Sequence, residues 1–401
     1  MKKIYIVITP FFPSVSSFRG AFIYDQVQAL KRNSNYEVIV FKPKRICSKE
    51  REYTYKGIKV YLFSDIQMPS YIFNGLSNDI NNLLFLKAIK KIGIRVDDIE
   101  IAHGHTARFA SFPLALKKIN PHIRTVVQHH DPDPFNIRNG KWAYIKWNAI
   151  YRAKKSIGLF DQIDCHICVS QFVADSLLSF PHPPSHLYYN SYEQILQVVK
   201  KVHSARIKHL YVLYNGVDCT IFNLHKPSKK TLFTIGCVGN FVDWKGQDIL
   251  IKAVEVLISN HVKVHVCFIG SGPTLSECKK MVVEKGLSDY VEFKAEVHHH
   301  ELVNFYKTLD LFVLPSYFEG FGCVFTEAAA CGIPFMVCKY QGAAEYISPV
   351  EENLWTFPAF DHQRLAQLIA YYIKHTPQQH LCHPFDIDVL ITEYLNYLKE
   401  I

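Results

Sequence analysis

Two glutamates eight positions apart stand where a predicted strand ends and a predicted helix begins. The segment reads LFVLPSYFEGFGCVFTEAAACGIPFMVC from Leu311 to Cys338, with Glu319 in the loop and Glu327 in the helix. Each carboxylate can accept hydrogen bonds from two hydroxyls, such as the vicinal hydroxyls of a sugar or a ribose. An ordinary helix N-terminus with two solvated glutamates would show the same spacing, so the pair alone leaves both interpretations open.

The loop between these glutamates has the composition of an anion-binding turn. Gly320 and Gly322 allow the backbone to come within hydrogen-bonding distance of a ligand. The predicted helix 323–331 stops at Gly332 with Pro334 behind it, and its N-terminal amides and dipole favour a phosphate or a diphosphate. We therefore expect this segment to bind a ligand that carries both hydroxyls and phosphate.

Runs of strand-forming and helix-forming residues alternate along the whole chain, which is typical of α/β proteins with mainly parallel sheets. The cycle starts at the apolar strand Ile4–Ile8 and restarts at Phe233–Val238, so we expect two doubly wound halves joined between residues 215 and 231. Ligands of such sheets bind at the carboxyl ends of the strands, and the cleft between two halves is the default site.

Further predicted elements follow the same alternation. Residues 99–102 form a strand that ends in a turn at Gly104 and His105, and a helix is expected over 192–203 after a loop at 181–184. The remaining predicted strands are 37–41, 124–128, 163–169, 211–213, 262–269, 291–293, Leu311–Leu314 and Phe335–Cys338. The remaining predicted helices are 23–30, 114–119, Gln171–Leu178, 248–259, 301–307, 362–374 and 386–401.

Composition narrows the classes of protein to which the chain can belong. Its 401 residues exceed one ordinary core, and 49 % apolar with 20 % charged residues excludes overall disorder. Forty-five Lys and Arg against 36 Asp and Glu give a net charge of +9. Because the basic residues do not form the runs of a nucleic-acid-binding tail, this charge favours an anionic substrate or an anionic membrane face, and we expect no nucleic-acid partner.

The cysteines and the apolar segments predict the compartment. Eleven scattered cysteines are typical of reduced thiols in a cytosolic protein, and the single C-x-x-C, Cys165 to Cys168, lies in an apolar run that favours two buried structural cysteines over zinc. The apolar start of the chain is broken by Pro10 and Pro13, and no apolar run reaches the ~18–20 residues that span a bilayer. We expect a soluble, cytoplasmic protein that is at most attached to the inner face of a membrane.

Two basic segments fit a membrane surface. Residues 136–160 contain six Lys and Arg interleaved with Trp and Tyr and no acidic residue, and residues 83–95 add three lysines and an arginine beside apolar residues. Cations and aromatic rings suit the interface of an anionic membrane. Two ordinary amphipathic helices with basic outer faces would give the same pattern, so both interpretations stay open.

Residues 311–347 resemble the E-x7-E signature of retaining glycosyltransferases of family four. These enzymes have the GT-B fold, in which two Rossmann-like, doubly wound domains face each other across an interdomain cleft. Four other parts of the chain are similar to the family in the expected order: 4–20, 214–218 with Phe222, 238–246 and 270–273.

The resemblance implies two domains. Residues 1–214 would form the N-terminal, acceptor-side domain, and a C-terminal helix near 385–401 would pack back on it. Residues 215–384 would form the domain that binds the nucleotide-sugar.

The resemblance also implies roles for particular residues. Glu327 would bind the nucleotide ribose, Lys245 the diphosphate and Glu319 the donor sugar. His130 aligns with the family's cleft histidine, which contacts the donor sugar or the acceptor, although a histidine there could also be structural. Glu319, Lys245 and His130 are therefore the expected catalytic residues. The other donor-binding residues that the resemblance implies are Gly20, Asn240, Gly320, Phe321, Gly322 and Cys323.

One position departs from the family pattern. The family usually has Arg where this chain has Asn240. Because asparagine is neutral, Lys245 and the N-terminus of the predicted helix 323–331, with Arg19 as a further candidate, must carry more of the charge of the leaving group. This departure puts the rate, and activity itself, in question.

The function that the resemblance implies is transfer, with retention, of a sugar from a UDP-, GDP- or ADP-sugar to a hydroxyl of a sugar or lipid-linked sugar, as in a glycolipid or an intermediate of a cell-surface polysaccharide. No cofactor and no metal are expected. Asp131 to Asp133 is formally a D-x-D motif, but its prolines explain a stiff turn equally well, and His298 to His300 are expected to form a solvated loop. The alternatives are a sugar-nucleotide 2-epimerase of the same architecture and a non-catalytic sugar-nucleotide-binding protein.

Overall fold

The computed structural model describes residues 2–15, 17, 19–66, 75, 77–131, 146–178, 205–223 and 232–401. The chain divides into two units: Met1–Tyr214 with Ile387–Ile401 form the first, and Asn215–Asp386 form the second. The sequence predicts a division between residues 214 and 215, with the C-terminal helix in the first domain. The predicted loop 181–184 and helix 192–203 lie outside the described residues, as does 224–231 in the predicted linker.

The first unit contains an eight-stranded sheet. Its strands are β1 (Ile4–Ile8), β2 (Glu37–Arg45), β3 (Tyr53–Tyr55), β4 (Ile58–Asp65), β5 (Ile99–His105), β6 (Arg124–His129), β7 (Cys165–Cys168) and β8 (His209–Val212). They lie in the order β3-β4-β2-β1-β5-β6-β7-β8, and neighbours are parallel except for β3 and β4. The central strand β1 is buried at every residue, because helices cover both faces of a parallel sheet.

Helices of the first unit connect these strands. They are α1 (Ala21–Asn33), α2 (Asn78–Lys91), α3 (Ser111–Ile119), α4 (Lys146–Phe160) and α5 (Gln171–Leu178). The inner face of α1 buries Ile23, Val27 and Leu30, the three residues whose helical spacing predicts this helix from the sequence.

Strand β5 is longer than the sequence predicts. The expected turn at Gly104 and His105 is wrong, because both residues lie in the strand and pair in parallel with Val127 and Gln128 of β6. Glycine is needed at 104 for a close approach of the backbone: a Cβ there would lie 2.9 Å from the Phe109 carbonyl oxygen. The strand ends before Thr106, where φ is 76°.

The second unit contains a six-stranded parallel sheet. Its strands are β9 (Phe233–Val238), β10 (Val264–Ile269), β11 (Val291–Lys294), β12 (Leu311–Leu314), β13 (Phe335–Cys338) and β14 (Thr356–Phe357). They lie in the order β11-β10-β9-β12-β13-β14. Counted from β9, this is the 3-2-1-4-5-6 order of dinucleotide-binding sheets, and the order reverses between β9 and β12.

Helices of the second unit lie between these strands and after them. They are α6 (Gln247–Ser259), α7 (Leu275–Glu284), α8 (Leu302–Tyr306), α9 (Cys323–Ala330), α10 (Glu352–Trp355) and α11 (His362–His375). Helix α6 follows β9 and α9 follows β12, so both begin at the edge of the sheet where the strand order reverses.

The chain ends in α12 (Ile387–Glu400), which packs within the first unit against α1. Arg32 forms a bidentate ion pair with Asp388, with N–O distances of 3.0 and 2.9 Å. The buried hydroxyls of Tyr5 and Tyr394 are 2.9 Å apart. These contacts fix the last helix on the sheet of the first unit.

Candidate active site

Two loops meet at the point where the strand order of the second unit reverses. The loop 239–246 follows β9, and the loop 315–322 follows the neighbouring strand β12. The Trp244 carbonyl accepts hydrogen bonds from the Tyr317 amide and the Ser316 hydroxyl, both at 3.0 Å, which joins the loops. In doubly wound sheets, ligands bind in the crevice outside the carboxyl ends of strands at such a point.

Lys245 and Glu319 form an ion pair between these loops. The Nζ of Lys245 donates to Oε2 of Glu319, and each side chain is 18 % exposed. An ammonium group has three N–H donors and a carboxylate has two oxygens, so this one contact uses only part of the capacity of each group. The geometry places an ammonium group, which can bind a phosphate oxygen, beside a carboxylate, which can accept a hydrogen bond from a hydroxyl.

The backbone of Glu319 is held by a buried glutamine that the sequence analysis missed. Gln341 accepts from the Glu319 amide at 2.6 Å through Oε1 and donates to the Tyr317 carbonyl at 3.0 Å through Nε2. Gln341 is buried and lies just after β13, at the same edge of the sheet as the two loops. An amide side chain at the carboxyl end of a strand next to β12 is the signal that could have identified it.

Gly246 sets the shape of the turn that carries Lys245. Its φ is 67°, and it caps the N-terminus of α6. A Cβ at this position would lie 2.3 Å from the Pro315 carbonyl oxygen, so the loop after β12 comes too close for any side chain. The two loops can approach each other only because residue 246 is glycine.

Replacing Gly246 with alanine is expected to destabilise the second unit in two ways. The left-handed backbone costs an alanine about 1–2 kcal/mol, and displacing the Pro315 carbonyl adds about 1–3 kcal/mol. Gly286→Ala is the matched control, since Gly286 has a φ of 65° and open space around its Cβ position. Urea unfolding should show a larger loss for Gly246→Ala; equal losses would contradict the close approach.

The loop 320–323 offers its backbone rather than its side chains. Phe321 is 2 % exposed and packs edge-on against Tyr346, with ring centres 5.6 Å apart. Gly322, with a φ of 88°, caps α9, and a Cβ there would lie 2.8 Å from the ring of Phe325. Helix α9 therefore begins beside Glu319, with the first amides of the helix, including that of Cys323, at the loop.

Glu327 lies in α9 and is 4 % exposed. Its Oε1 is 2.8 Å from Nε2 of His299, and its Oε2 accepts a hydrogen bond of 2.7 Å from the Tyr306 hydroxyl. Burial and the neighbouring Glu327 raise the pKa of Tyr306 well above its usual value, so this phenol stays protonated and donates. The carboxylate is thus held on both oxygens.

The prediction of a solvated loop for the three histidines is wrong for the central one. His298 and His300 are exposed, whereas the side chain of His299 is only 26 % exposed and contacts Glu327. The reason is a tight turn over His299–Glu301, which directs the middle imidazole inward. Consecutive side chains point in different directions, so a run of histidines carries no information about which one is inside.

Asn240 is exposed in the loop after β9. The backbone carbonyl of Asn240 accepts a 3.0 Å hydrogen bond from Nε2 of Gln247, a residue that is 2 % exposed. The backbone of the loop is therefore held independently of the side chain at 240, where the family usually has Arg.

Gly20 and His130 belong to the first unit. Gly20 caps α1 with a φ of 92°, and a Cβ there would lie 2.7 Å from the Phe11 carbonyl. His130 follows β6; its ring packs on Phe22 at 5.1 Å, and its Nε2 is 3.1 Å from Nδ1 of His105. Burial, with its histidine neighbours, lowers the pKa of His105 well below the usual value, so this partner of His130 is neutral.

The described residues also include other features that the sequence singled out. Cys165 and Cys168 are fully buried, as expected, and burial raises the pKa of Cys165 to about 12. No cluster of three or more His, Cys, Asp or Glu suited to a metal occurs in the described part of the chain, and Asp133 of the D-x-D motif lies outside it. Within the same residues, no helix combines the length and apolar composition needed to cross a bilayer.

Two family descriptions match the chain, one in each structural unit. Residues 20–191 match Glycosyltransferase Family 4, and residues 222–383 match Glycosyl transferases group 1. The chain belongs to the family-four glycosyltransferases of the GT-B fold. The sequence-based expectations of family and fold class are therefore confirmed.

Curated relatives of this glycosyltransferase match over shorter stretches. A GDP-mannose-dependent monoacylated alpha-(1-6)-phosphatidylinositol monomannoside mannosyltransferase of Corynebacterium glutamicum is 30 % identical over 34 % of this chain and 40 % of the relative. A D-inositol 3-phosphate glycosyltransferase of Arthrobacter is 30 % identical over 36 % of this chain and 37 % of the relative. The match thus spans about two fifths of the length of each.

Solved structures match this glycosyltransferase over its whole length. Sucrose-phosphate synthase from Thermosynechococcus elongatus superimposes with a TM-score of 0.72 at 15 % identity, over 99 % of both chains. Anabaena HepE in complex with UDP-glucose superimposes with a TM-score of 0.68 at 17 % identity, over 99 % of this chain and 100 % of HepE. At such low identity these likenesses are likenesses of fold.

Proposed function

We propose that this glycosyltransferase moves a sugar from a nucleoside-diphosphate donor to a hydroxyl with retention of configuration. The observation that supports this most strongly is the ion pair of Lys245 and Glu319 at the switch point of a dinucleotide-binding sheet, beside the start of α9. Lys245 and the helix amides suit a diphosphate, and Glu319 suits a sugar hydroxyl. The bond from sugar to diphosphate would then lie between groups of opposite charge.

In this proposal catalysis rests on alignment and on stabilisation of the leaving group. As the bond between the anomeric carbon and the phosphate oxygen breaks, negative charge grows on the diphosphate, and Lys245 and the first amides of α9 stabilise it. The acceptor hydroxyl attacks the anomeric carbon from the side of the departing diphosphate, and its proton passes to the departing phosphate oxygen. Lys245 supplies a fixed positive charge, so the proposed step needs no metal.

For the first unit we propose the acceptor role. His130 has a polar ring whose orientation is restrained by Phe22 and His105. A side chain that contacts a sugar or an acceptor hydroxyl needs such a fixed orientation. Gly20 gives the backbone a close approach at the start of α1, where a helix N-terminus suits an anion.

The donor and acceptor classes follow from the family and from the names of its members. We propose a UDP-, GDP- or ADP-sugar as donor, since one relative is named for GDP-mannose and one matching structure holds UDP-glucose. We propose a sugar or a lipid-linked sugar as acceptor, such as a glycolipid or an intermediate of a cell-surface polysaccharide. Relatives named for inositol phosphate and phosphatidylinositol acceptors support this class.

A thermal-shift panel of UDP-, GDP- and ADP-sugars tests the proposal first. A ligand that binds only the folded protein stabilises it by about 2.7 kcal/mol at one hundred times its Kd. The donor found in this way is then incubated with the full chain, with and without sugar acceptors, and release of the nucleoside diphosphate is measured. Transfer with retention supports the proposal, and no stabilisation by any of these donors contradicts it.

The same incubations separate the two alternatives. An epimerase would convert its nucleotide-sugar without any acceptor and without releasing the nucleoside diphosphate. A non-catalytic binding protein would bind the donor but neither transfer nor hydrolyse it, and Asn240→Arg would then restore turnover. The exposed position of Asn240 leaves room for the longer side chain.

We also propose peripheral attachment to an anionic membrane through α2. Its outward face carries two exposed apolar residues, Ile80 (52 %) and Leu83 (60 %), followed by exposed lysines. Beside it lies a cavity of about 610 Å³ whose lining includes four basic and two acidic residues; the basic ones are Lys44, Arg51, Lys87 and Lys91. This combination suits lipid phosphates above an apolar layer. In the other segment, residues 136–145 lie outside the described part.

Replacing Lys87 and Lys91 together with glutamine is expected to weaken binding to vesicles of anionic lipid. Each cation near such a surface contributes about 1 kcal/mol, so the pair should cost about 30-fold in affinity. The matched control is Lys279→Gln with Lys280→Gln, two exposed lysines of the second unit. Co-sedimentation at low and high salt measures the effect. Binding that is insensitive to salt, or equally weakened by the control, would contradict attachment through α2.

A further inference from the structure

Glu327 is oriented by two residues from elements other than its own helix. His299 lies in the turn after β11, and Tyr306 ends α8. Each side chain bonds a different oxygen of the carboxylate, at 2.8 Å for His299 and 2.7 Å for Tyr306. With one oxygen held from each side, the plane of the carboxylate is fixed although Glu327 lies on an eight-residue helix.

The carboxylate of Glu327 keeps one free acceptor site on each of its two oxygens. Each carboxylate oxygen can accept two hydrogen bonds. His299 and Tyr306 each use one, so each oxygen keeps one site. Two acceptor sites on two neighbouring oxygens match the two donors of a vicinal diol, and a ribose is the part of a nucleotide that carries one.

We propose that His299 and Tyr306 are positioning residues that aim one oxygen of Glu327 at each ribose hydroxyl of the donor. The inference rests on the proposed function, together with the role that the family resemblance implies for Glu327, binding of the nucleotide ribose. It adds a substrate class: the site selects ribonucleoside-diphosphate sugars over 2′-deoxy donors such as thymidine-diphosphate sugars. A deoxy donor leaves one charged acceptor without its hydroxyl.

His299 is the partner through which this positioning can be tested. Tyr306 is fully buried, so its removal would disturb the core as well as the carboxylate. His299 keeps a quarter of its side chain exposed, and its ring is supported by Phe222, 1 % exposed, at 5.2 Å between ring centres. The Nε2 of His299 carries the proton in this arrangement, since its partner is a carboxylate.

The experiment compares three forms of one nucleotide on the full-length protein. The nucleoside diphosphate of the donor found in the thermal-shift panel is titrated by calorimetry, together with its 2′-deoxy and 3′-deoxy forms. A hydrogen bond to a charged group should make each deoxy form bind about 10-fold more weakly or worse. This ratio of affinities, rather than affinity itself, is the readout.

Four variants test which side chains determine the ratio of affinities. His299→Asn is too short to reach Glu327, so we expect the ratio to fall below about 3-fold. His299→Gln, whose amide nitrogen can stand near the position of Nε2, should restore most of the ratio. His300→Gln changes an exposed neighbour and should leave the ratio unchanged. Glu327→Gln replaces one acceptor oxygen with a donor, so it must lose the ratio for at least one of the hydroxyls.

The outcomes separate the inference from the proposed function. If Glu327→Gln keeps both ratios, Glu327 does not contact the ribose, and the role that the family resemblance implies for Glu327 is wrong. If Glu327→Gln loses a ratio but His299→Asn keeps both, only the positioning inference is overturned. It is also overturned if His299→Asn weakens the three nucleotides equally, because that result describes a purely structural histidine.

Discussion

Replacing Lys245 with alanine should lower the kcat of transfer by about 100- to 1000-fold, the range seen when one donor to a developing negative charge is removed. In the free protein Lys245 is paired with Glu319, and in the proposed mechanism its ammonium faces the departing diphosphate. Because Asn240 is neutral, the loop after β9 has no second cation at that position to replace it. The measurement is single-turnover release of the nucleoside diphosphate, with thermal unfolding to verify the fold.

Lys252→Ala is the control for this variant. Lys252 lies one turn along α6 from Asp248, with which it pairs at 2.8 Å, and its side chain is 35 % exposed. Such an exposed pair contributes about 0.3–0.5 kcal/mol, so neither stability nor kcat should change appreciably. An unchanged kcat in Lys245→Ala would show that Lys245 does not stabilise the leaving group.

Replacing Glu319 with alanine should lower kcat by about 100-fold, because in the proposed function Glu319 holds the donor sugar, and its loss would misplace the anomeric carbon. The fold should survive, since Gln341 holds the backbone of residue 319 through the amide and not through the side chain. Glu319→Gln keeps an acceptor oxygen and should lose less. Glu352→Ala, at a half-exposed glutamate paired with Lys339 at 3.3 Å, is the matched control.

The double variant of Lys245 and Glu319 tests whether the ion pair acts as one unit. Residues that share one catalytic arrangement lose activity in a strongly non-additive way. We therefore expect the double alanine variant to be about as slow as the slower single variant. If the two losses multiply, the residues act independently, and the ion pair in the free protein has no bearing on catalysis.

Local patterns in the sequence were sufficient for the class of fold and for the main binding segment. Strands buried on both faces of a parallel sheet must be continuous apolar runs, so Ile4–Ile8, Phe233–Val238 and Leu311–Leu314 were predicted with their observed bounds. Gly332 was recognised because the end of a short helix needs a residue that tolerates left-handed backbone, and Gly322 because glycine lets the backbone approach a ligand. Strands β3 and β4 were missed, because β3 has only three residues and the apolar run of β4, residues 60–63, was not recognised.

The partners of the site residues were decided only by the tertiary structure. Lys245 and Glu319 are 74 positions apart, and they meet because β12 lies next to β9 and not beside β11. Glu327 meets His299 because a tight turn directs one of three adjacent imidazoles inward, and Gly104 belongs to a strand because it pairs with Val127 of β6. Composition and periodicity indicate which secondary structure a segment forms and which of its faces is buried. Which segments become neighbours depends on the order of strands in the sheet, and that order is set by packing between residues far apart in the chain.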